Sequence, residues 1–204
     1  MINLLKGVFR YFKRQYSIAR LKRAVRKPVV KIVVGSSGFY EKGWTPTDIE
    51  YLNMLQDSDW KNFFKENSID AILGEHVWEH LSEENGLAAF KNCFKYLKHG
   101  GYLRIAIPDG FHPKKEYIDH VKPGGIGIGA DDHKILYTFQ SLTSSLYKAG
   151  FSINLLEYFD ENGKFHDTPW KPEDGFIKRS KNFDPRNTNG ELNYTSLIVD
   201  AIKP

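Results

Sequence analysis

The run IDAILGEH, residues 69–76, constrains this chain more than any other stretch. After Asp70 it is apolar without a break to Gly74, and it shows no alternation of polar and apolar residues. An unbroken run of this length is the pattern of a strand covered on both faces, which is the situation inside a parallel sheet. A parallel strand must reach its neighbour by a crossover, so helical segments are expected between strands. The surrounding sequence supplies them. VVKIVVGSSG is a β-branched run that ends in a small-residue turn, and GWTPTDIE is a brief second element. DSDWKNFFKENS reads as a helix. SEENGLAAFKNCFKYLKHGG reads as another, opened by Ser82 and two acids and closed by Gly100 and Gly101. YLRIAIPDG is a strand stopped by Pro108, and residues 138–149 form a helix between Thr138 and Gly150. FSINLLEYF and NYTSLIVDAI read as a final antiparallel pair. The expected architecture is α/β, with a mostly parallel central sheet, an antiparallel C-terminal hairpin and helices on both faces.

The charge is unevenly spread. Of the 29 Lys and Arg, nine lie within residues 1–27, where no Asp or Glu occurs, and the rest of the chain holds 20 basic and 25 acidic residues. Residues 1–27 therefore form a basic arm, and residues 28–204 read as a single domain that is mildly acidic. Leu5, Phe9, Phe12, Tyr16 and Ala19 recur along the arm at helical spacing. A basic amphipathic helix suits an anionic membrane surface, and it equally suits packing of its apolar face on the body. Nucleic acid is disfavoured, because the acidic body does not extend the basic patch. The apolar runs fall short of the roughly 20 residues needed to span a bilayer. The single cysteine, Cys93, excludes an internal disulfide and suits a reducing compartment. A cytoplasmic enzyme, with membrane association through the arm, is the expectation.

In an open parallel sheet, ligands sit beyond the carboxyl ends of the strands. GSSG, GEHVWEHL and PDGFHP all fall there. His76, Glu79 and His80 also have the H-x-x-E-H spacing of an inverted zinc-protease motif. That reading needs both histidines on one helix, whereas His76 belongs at a strand tip, so no metal is expected. GGIGIGADDH imitates a phosphate loop but lacks the preceding strand and the immediate helix. Residues 110–132 read instead as a lid whose glycines allow closure. Asp109, His112, Asp131, Asp132 and His133 are the available acid/base groups, with His133 and Asp109 chosen for proton removal and His112 for substrate binding. The polar excursion 160–192 contributes Trp170, Arg179 and Arg186, side chains able to seat a sugar or an anionic acceptor.

Four blocks carry a likeness. VVGSSGFYEKGWTPTDI, SIDAILGEHVWEHL, LKHGGYLRIAIPDG and DDHKILYTFQSLTSSLYKAGF occur in that order. Together they resemble the S-adenosylmethionine-dependent class I methyltransferases, in particular a bacterial branch with G-S-G…G-W-x-x-x-D-I and H-V-L-E-H-L blocks. The resemblance covers about residues 29–158. It implies a Rossmann-like fold with S-adenosylmethionine as cofactor. Gly35, Ser36, Ser37 and Gly38 match the turn beneath the cofactor's amino-acid end. Asp48, followed by Ile49, matches the acid that takes the ribose hydroxyls. Glu75 and His76 match positions near the methionine part. The chain departs from the common pattern at Val33 and Val34, where an acid is usual, and at Ser37, where a side chain crowds the turn. The short interval from Gly38 to Asp48 reads as a truncated helix.

The function this implies is methyl transfer to an oxygen or nitrogen of a small or saccharide-type acceptor. A non-catalytic ligand-binding or scaffolding relative is the alternative, with a zinc-dependent hydrolase behind it.

Overall fold

The computed structural model describes residues 2–204, without the side chains of residues 2–6 and 10. The expectations placed on the side chains of Leu5, Lys6 and Arg10 lie outside the described residues.

Seven strands form one sheet in the order β2-β1-β3-β4-β7-β5-β6. The strands β1 (Lys31–Val33), β2 (Thr45–Pro46), β3 (Ile69–Glu75) and β4 (Leu97–Pro108) pair in parallel. The last strand, β7 (Ser196–Ile202), is antiparallel both to β4 and to β5 (Ser152–Phe159). β6 (Phe165–Asp167) closes the far edge as a hairpin on β5. The parallel core and the antiparallel pair read from sequence are both present. β3 sits at its centre, with Ile69, Ala71, Ile72 and Leu73 all buried, as its unbroken apolar run demands.

The two faces are covered differently. On one face lie α1 (Ile2–Ala24) through Leu21, α2 (Asp57–Lys61), α3 (Glu83–Tyr96) and α5 (Phe139–Lys148). Trp60 stacks on Tyr96 with ring centroids 5.2 Å apart, and Trp78 on Phe90 at 5.1 Å. Beneath Trp78 only a glycine fits: a Cβ at Gly74 would stand 2.4 Å from the indole. The opposite face carries a smaller cluster of Val33, Ala71, Leu73, Ala106, Leu156 and Ile198, roofed by Trp44 and Ile177 with Trp170 packed alongside. Among the described residues of that cluster, none belongs to an α-helix. The expectation of helices on both faces thus holds for one face, and the other is covered by loop.

Three local expectations also change. The helix read in DSDWKNFFKENS spans only Asp57–Lys61, because the amides of Asn67 and Ser68 donate to the carbonyls of Lys95 and Tyr96 and draw the chain out of helix. α3 ends at Tyr96, not at Gly100–Gly101, since Leu97 already pairs with Ile69. Between Gly38 and Asp48 the described residues form turns rather than a short helix, with Trp44 drawn into the loop-covered cluster.

Within 110–132 the chain forms α4 (Lys115–Val121) and a helical turn at Ala130–Asp132. Gly125 and Gly127 pack closely on the end of α4. A Cβ on Gly127 would lie 2.5 Å from the His120 carbonyl, and the Gly127 amide donates to that same oxygen. No described helix is long and apolar enough to cross a membrane.

Candidate active site

Two adjoining cavities open at the carboxyl ends of β1 and β3. The first, of about 390 Å3, is lined by Gly35, Ser36 and Ser37 after β1, by Glu75 and His76 at the tip of β3, and by Phe39, Tyr40, Phe176, Lys178 and Arg179. The turn requires left-handed backbone at Gly35 (φ 57°), Ser37 (φ 46°) and Gly38 (φ 89°). Gly35 also sits against Val77, whose Cγ2 would be 2.8 Å from an added Cβ. Ser37 holds its conformation at some strain, since a side chain is disfavoured there. Its amide is secured by Asp48 Oδ2 at 3.1 Å, so the Asp48 carboxylate lies against the turn. Gly38, Asp48 and Ile49 are not among the lining residues, and Ile49 is solvent-exposed.

Glu75 does more than line the cavity. Its carboxylate accepts from the backbone amides of Lys178 and Arg179, at 3.2 and 2.9 Å, and from the Arg179 guanidinium at 3.3 Å. It thereby ties loop 176–183 over the sheet. A second buried acid, Glu157 on β5, does the same from beneath. It accepts from Trp170 Nε1, Lys181 N and Thr195 Oγ1, and burial pushes its carboxyl up from the ordinary range. Glu157 was not singled out from the sequence. The available signal was an acid inside the apolar strand run LLEYF.

The second cavity, of about 530 Å3, shares His76, Lys178 and Arg179 with the first and adds Glu79, His80, His120, His133, Arg186 and Tyr194. His76 has left-handed backbone (φ 54°), and its Nε2 lies 3.0 Å from Ser196 Oγ. His80 is on the helical turn Trp78–His80. The H-x-x-E-H residues therefore do not share a helix, as expected. The His80 and His133 rings meet edge to face at 4.8 Å, and His133 Nδ1 stands 2.6 Å from the Val121 carbonyl. Arg186 is paired with Asp184 and lies 3.3 Å over the Tyr194 ring.

Of the residues proposed from sequence for catalysis or for the acceptor, Asp109, His112 and Trp170 line neither cavity. Asp109 is fully buried, and its two oxygens accept from the amides of Phe111 and Phe159 at 2.9 and 2.8 Å. Burial raises its carboxyl to about 6. Fully buried, bracing the backbone with both oxygens and lining neither cavity, Asp109 is out of a substrate's reach, which corrects its expected role as a base. His112 stacks on Tyr117, with centroids 3.9 Å apart, and accepts from Lys114 N; burial lowers it to about 4. It belongs to the same packed corner, which corrects its expected role in substrate binding. Trp170 lies on the loop-covered face beside Arg104, where its indole is committed to Glu157. This corrects its expected place in an acceptor site.

The first cavity suits the cofactor implied by the sequence. Lys178 and Arg179 are cations for a carboxylate, Glu75 and Glu41 are acids for an ammonium, and Phe39, Tyr40 and Phe176 offer aromatic faces for a base or a sulfonium. The family model described as "Methyltransferase domain" matches residues 44–105, from Trp44 through β3, α3 and most of β4. Over these residues the chain is similar to methyltransferase domains.

The seven-stranded mixed sheet has the Rossmann-like arrangement of the class I methyltransferases. Solved structures resemble the chain distantly. An S-adenosylmethionine-dependent methyltransferase from Archaeoglobus fulgidus is 15% identical, with 98% of this chain and 92% of that one covered and a TM-score of 0.48. One from Thermotoga maritima is likewise 15% identical, with coverages of 99% and 97% and a TM-score of 0.48. The phosphoethanolamine N-methyltransferase 2 of Haemonchus contortus is 12% identical, covering 93% of this chain and 53% of that one, at a TM-score of 0.45. No curated protein matches the chain.

Proposed function

We propose that the enzyme methylates an oxygen or nitrogen of a small, polar, saccharide-type acceptor bound in the second cavity, with the cofactor in the first. The observation that carries this reading is the shared wall: His76, Lys178 and Arg179 line both cavities. When bound, S-adenosylmethionine supplies a methyl group on a sulfonium, whose sulfur leaves with the electron pair. The chain's own part is positioning, which is sufficient for a large share of such a rate enhancement. Gly35, Ser36 and Ser37 hold the cofactor from below, with Gly38 and Asp48 behind the turn, and Glu75 keeps Lys178 and Arg179 above it. Arg179 and Arg186 seat the acceptor, and His133 is the group assigned to act on its O–H or N–H. Calorimetric titration with S-adenosylhomocysteine tests the cofactor half, and no binding at millimolar ligand would overturn it. Release of S-adenosylhomocysteine against a panel of hydroxyl- and amine-bearing saccharides tests the acceptor.

We further infer that α1 rests on an anionic membrane surface, which makes the enzyme cytoplasmic and peripheral. Phe9, Phe12 and Tyr16 are 64–70% exposed, and the helix joins the core through Leu21 and Ala24. These three rings are thus free of the body, on the helix that also carries Lys13, Arg14 and Arg20. Wild-type protein is expected to sediment with anionic vesicles, and a Phe9→Glu/Phe12→Glu double variant to stay in solution. Equal sedimentation of the two would remove the proposal.

A further inference from the structure

We propose that Glu79, His80 and His133 form a binding site for one divalent first-row transition-metal ion, zinc in type, that opens on the second cavity. One ligating atom from each of the three lies within 4.8 Å of the others, so modest side-chain adjustment brings all three onto a common ion. The three arrive from separate places: Glu79 and His80 from the turn after β3, and His133 from the end of the 110–132 segment.

Each residue has a feature that a metal would explain. Glu79 is 1% exposed and lines the cavity, and its one close side-chain partner is His76, whose Nδ1 lies 3.0 Å from Oε1; Oε2 has no hydrogen-bond donor. A buried carboxylate with an oxygen left open is costly unless a cation compensates it. His80 Nδ1 is buried and has no hydrogen bond, with Asp132 Oδ2 3.4 Å away. His133 is oriented by the Val121 carbonyl at 2.6 Å, an arrangement that puts the proton on Nδ1 and leaves Nε2 free. A backbone carbonyl on the far ring nitrogen is the usual outer support of a metal-bound histidine.

The donor set decides the kind of ion. Two imidazoles and one carboxylate suit zinc or a neighbouring transition metal and leave at least one position open, whereas calcium and magnesium prefer oxygen alone. Lys178, Arg179 and Arg186 also face this cavity, and two of these cations are already paired, Arg179 with Glu75 and Arg186 with Asp184. An open position here faces the proposed acceptor, whose oxygen the ion would polarise. That role, which rests on the proposed function, has His133 act through the metal. The ion binding itself does not depend on it.

The test uses the full chain, stripped with chelator and titrated with Zn2+, and with Co2+ for its visible absorption. Wild type is expected to take up one zinc per chain and to give the intense Co2+ bands of a low-coordinate site. His80→Ala, His133→Ala and Glu79→Gln should each weaken zinc by at least the ~10–100-fold that loss of even a supporting partner causes. His166→Ala, whose imidazole pairs with Asp160 on the β5–β6 hairpin, should bind zinc as wild type does. Circular dichroism monitors folding, and the half-buried His133 carries the test if the buried Glu79 variant unfolds. Absence of stoichiometric zinc in wild type, unchanged binding in folded His133→Ala, or an equal loss in His166→Ala would each overturn the site. S-adenosylhomocysteine titration of the same samples keeps a failure of this site distinct from a failure of the methyltransferase reading.

Discussion

The two faces of the sheet are held by different forces, and the site depends mainly on the weaker-looking one. The helical face is apolar surface packed on apolar surface: Trp60 on Tyr96, Trp78 on Phe90, and Leu142 and Leu146 over the strands. The loop-covered face has few apolar contacts and a polar frame. Buried Arg104 grips Asp200 with two 2.7 Å hydrogen bonds, donates to the carbonyls of Lys171 and Gly175, and lies 5.1 Å from the Trp170 ring. Glu157 and Glu75 hold the same loop further along. That loop supplies Phe176, Lys178 and Arg179 to the cavities. Apolar packing tolerates imprecision, whereas a buried charge is stable only with every partner in place.

The largest expected effects come from cutting each face at its anchor. Trp60→Ala should destabilise by about 3–5 kcal/mol through the cavity it leaves. Arg104→Leu should do so by a similar ~3–5 kcal/mol, because Asp200 loses its buried partner. The two should part in ligand titration. The folded Trp60 variant keeps wild-type affinity for S-adenosylhomocysteine, and the Arg104 variant loses it. Equal affinities in denaturant-free calorimetry would break the contrast between the faces.

The corner holding Asp109 and His112 should show next, in stability against pH. Asp109 is raised from 3.8 to about 6, so its contribution is present below pH 3.8 and lost as pH rises through 6. His112 is lowered from 6.5 to about 4, so its contribution is present above pH 6.5 and lost as pH falls through 4. Each shift corresponds to about 3 kcal/mol, and in wild type the two slopes oppose one another between pH 4 and 6.5. In His112→Phe, stability should fall across that window. In Asp109→Asn it should rise, from a lower base, since one backbone amide loses its acceptor. Urea titrations at pH 4, 5 and 6.5 would show it, and parallel profiles for the two variants would refute it.

Smaller still is Glu75→Gln. Losing one charged acceptor for Lys178 N or Arg179 N amounts to about 1.5–3 kcal/mol, which should read as roughly 10–100-fold weaker S-adenosylhomocysteine with little change in melting temperature. The smallest effect is expected at Ser37→Gly. Relief of the φ 46° backbone is offset by glycine's chain entropy, leaving a gain of at most about 1 kcal/mol. A clear loss of stability there would mean the turn is not strained.

Much of the fold was legible along the chain. The unbroken run at β3, the Ser82 and Thr138 caps, and the strands in FSINLLEYF and NYTSLIVDAI are local patterns, and each formed where its residues indicated. The small-residue turn at 35–38 was equally local. Acid/base roles were not. Asp109 and His112 look like catalytic groups in PDGFHP, and only the approach of Phe159 and Tyr117 shows them consumed by packing. GEHVWEHL was half legible: Gly74 lies beneath Trp78 and Glu75 faces the first cavity, but it took the fold to show that His76 and His80, which no helix carries together, both line the second.

The sequence by itself determined the parallel core, the left-handed small-residue turn after β1 and the likeness to a methyltransferase domain, because each depends on residues close together in the chain. Tertiary structure alone decided which face is roofed by loop and what holds it there. It alone brought His133 beside Glu79 and His80, and buried Asp109 away from both cavities. Asp109 meets Phe159 across 50 positions, and the roofing loop reaches Glu157 and Glu75 across 24 and 104; hydrogen bonds and burial at such range leave no periodicity to read.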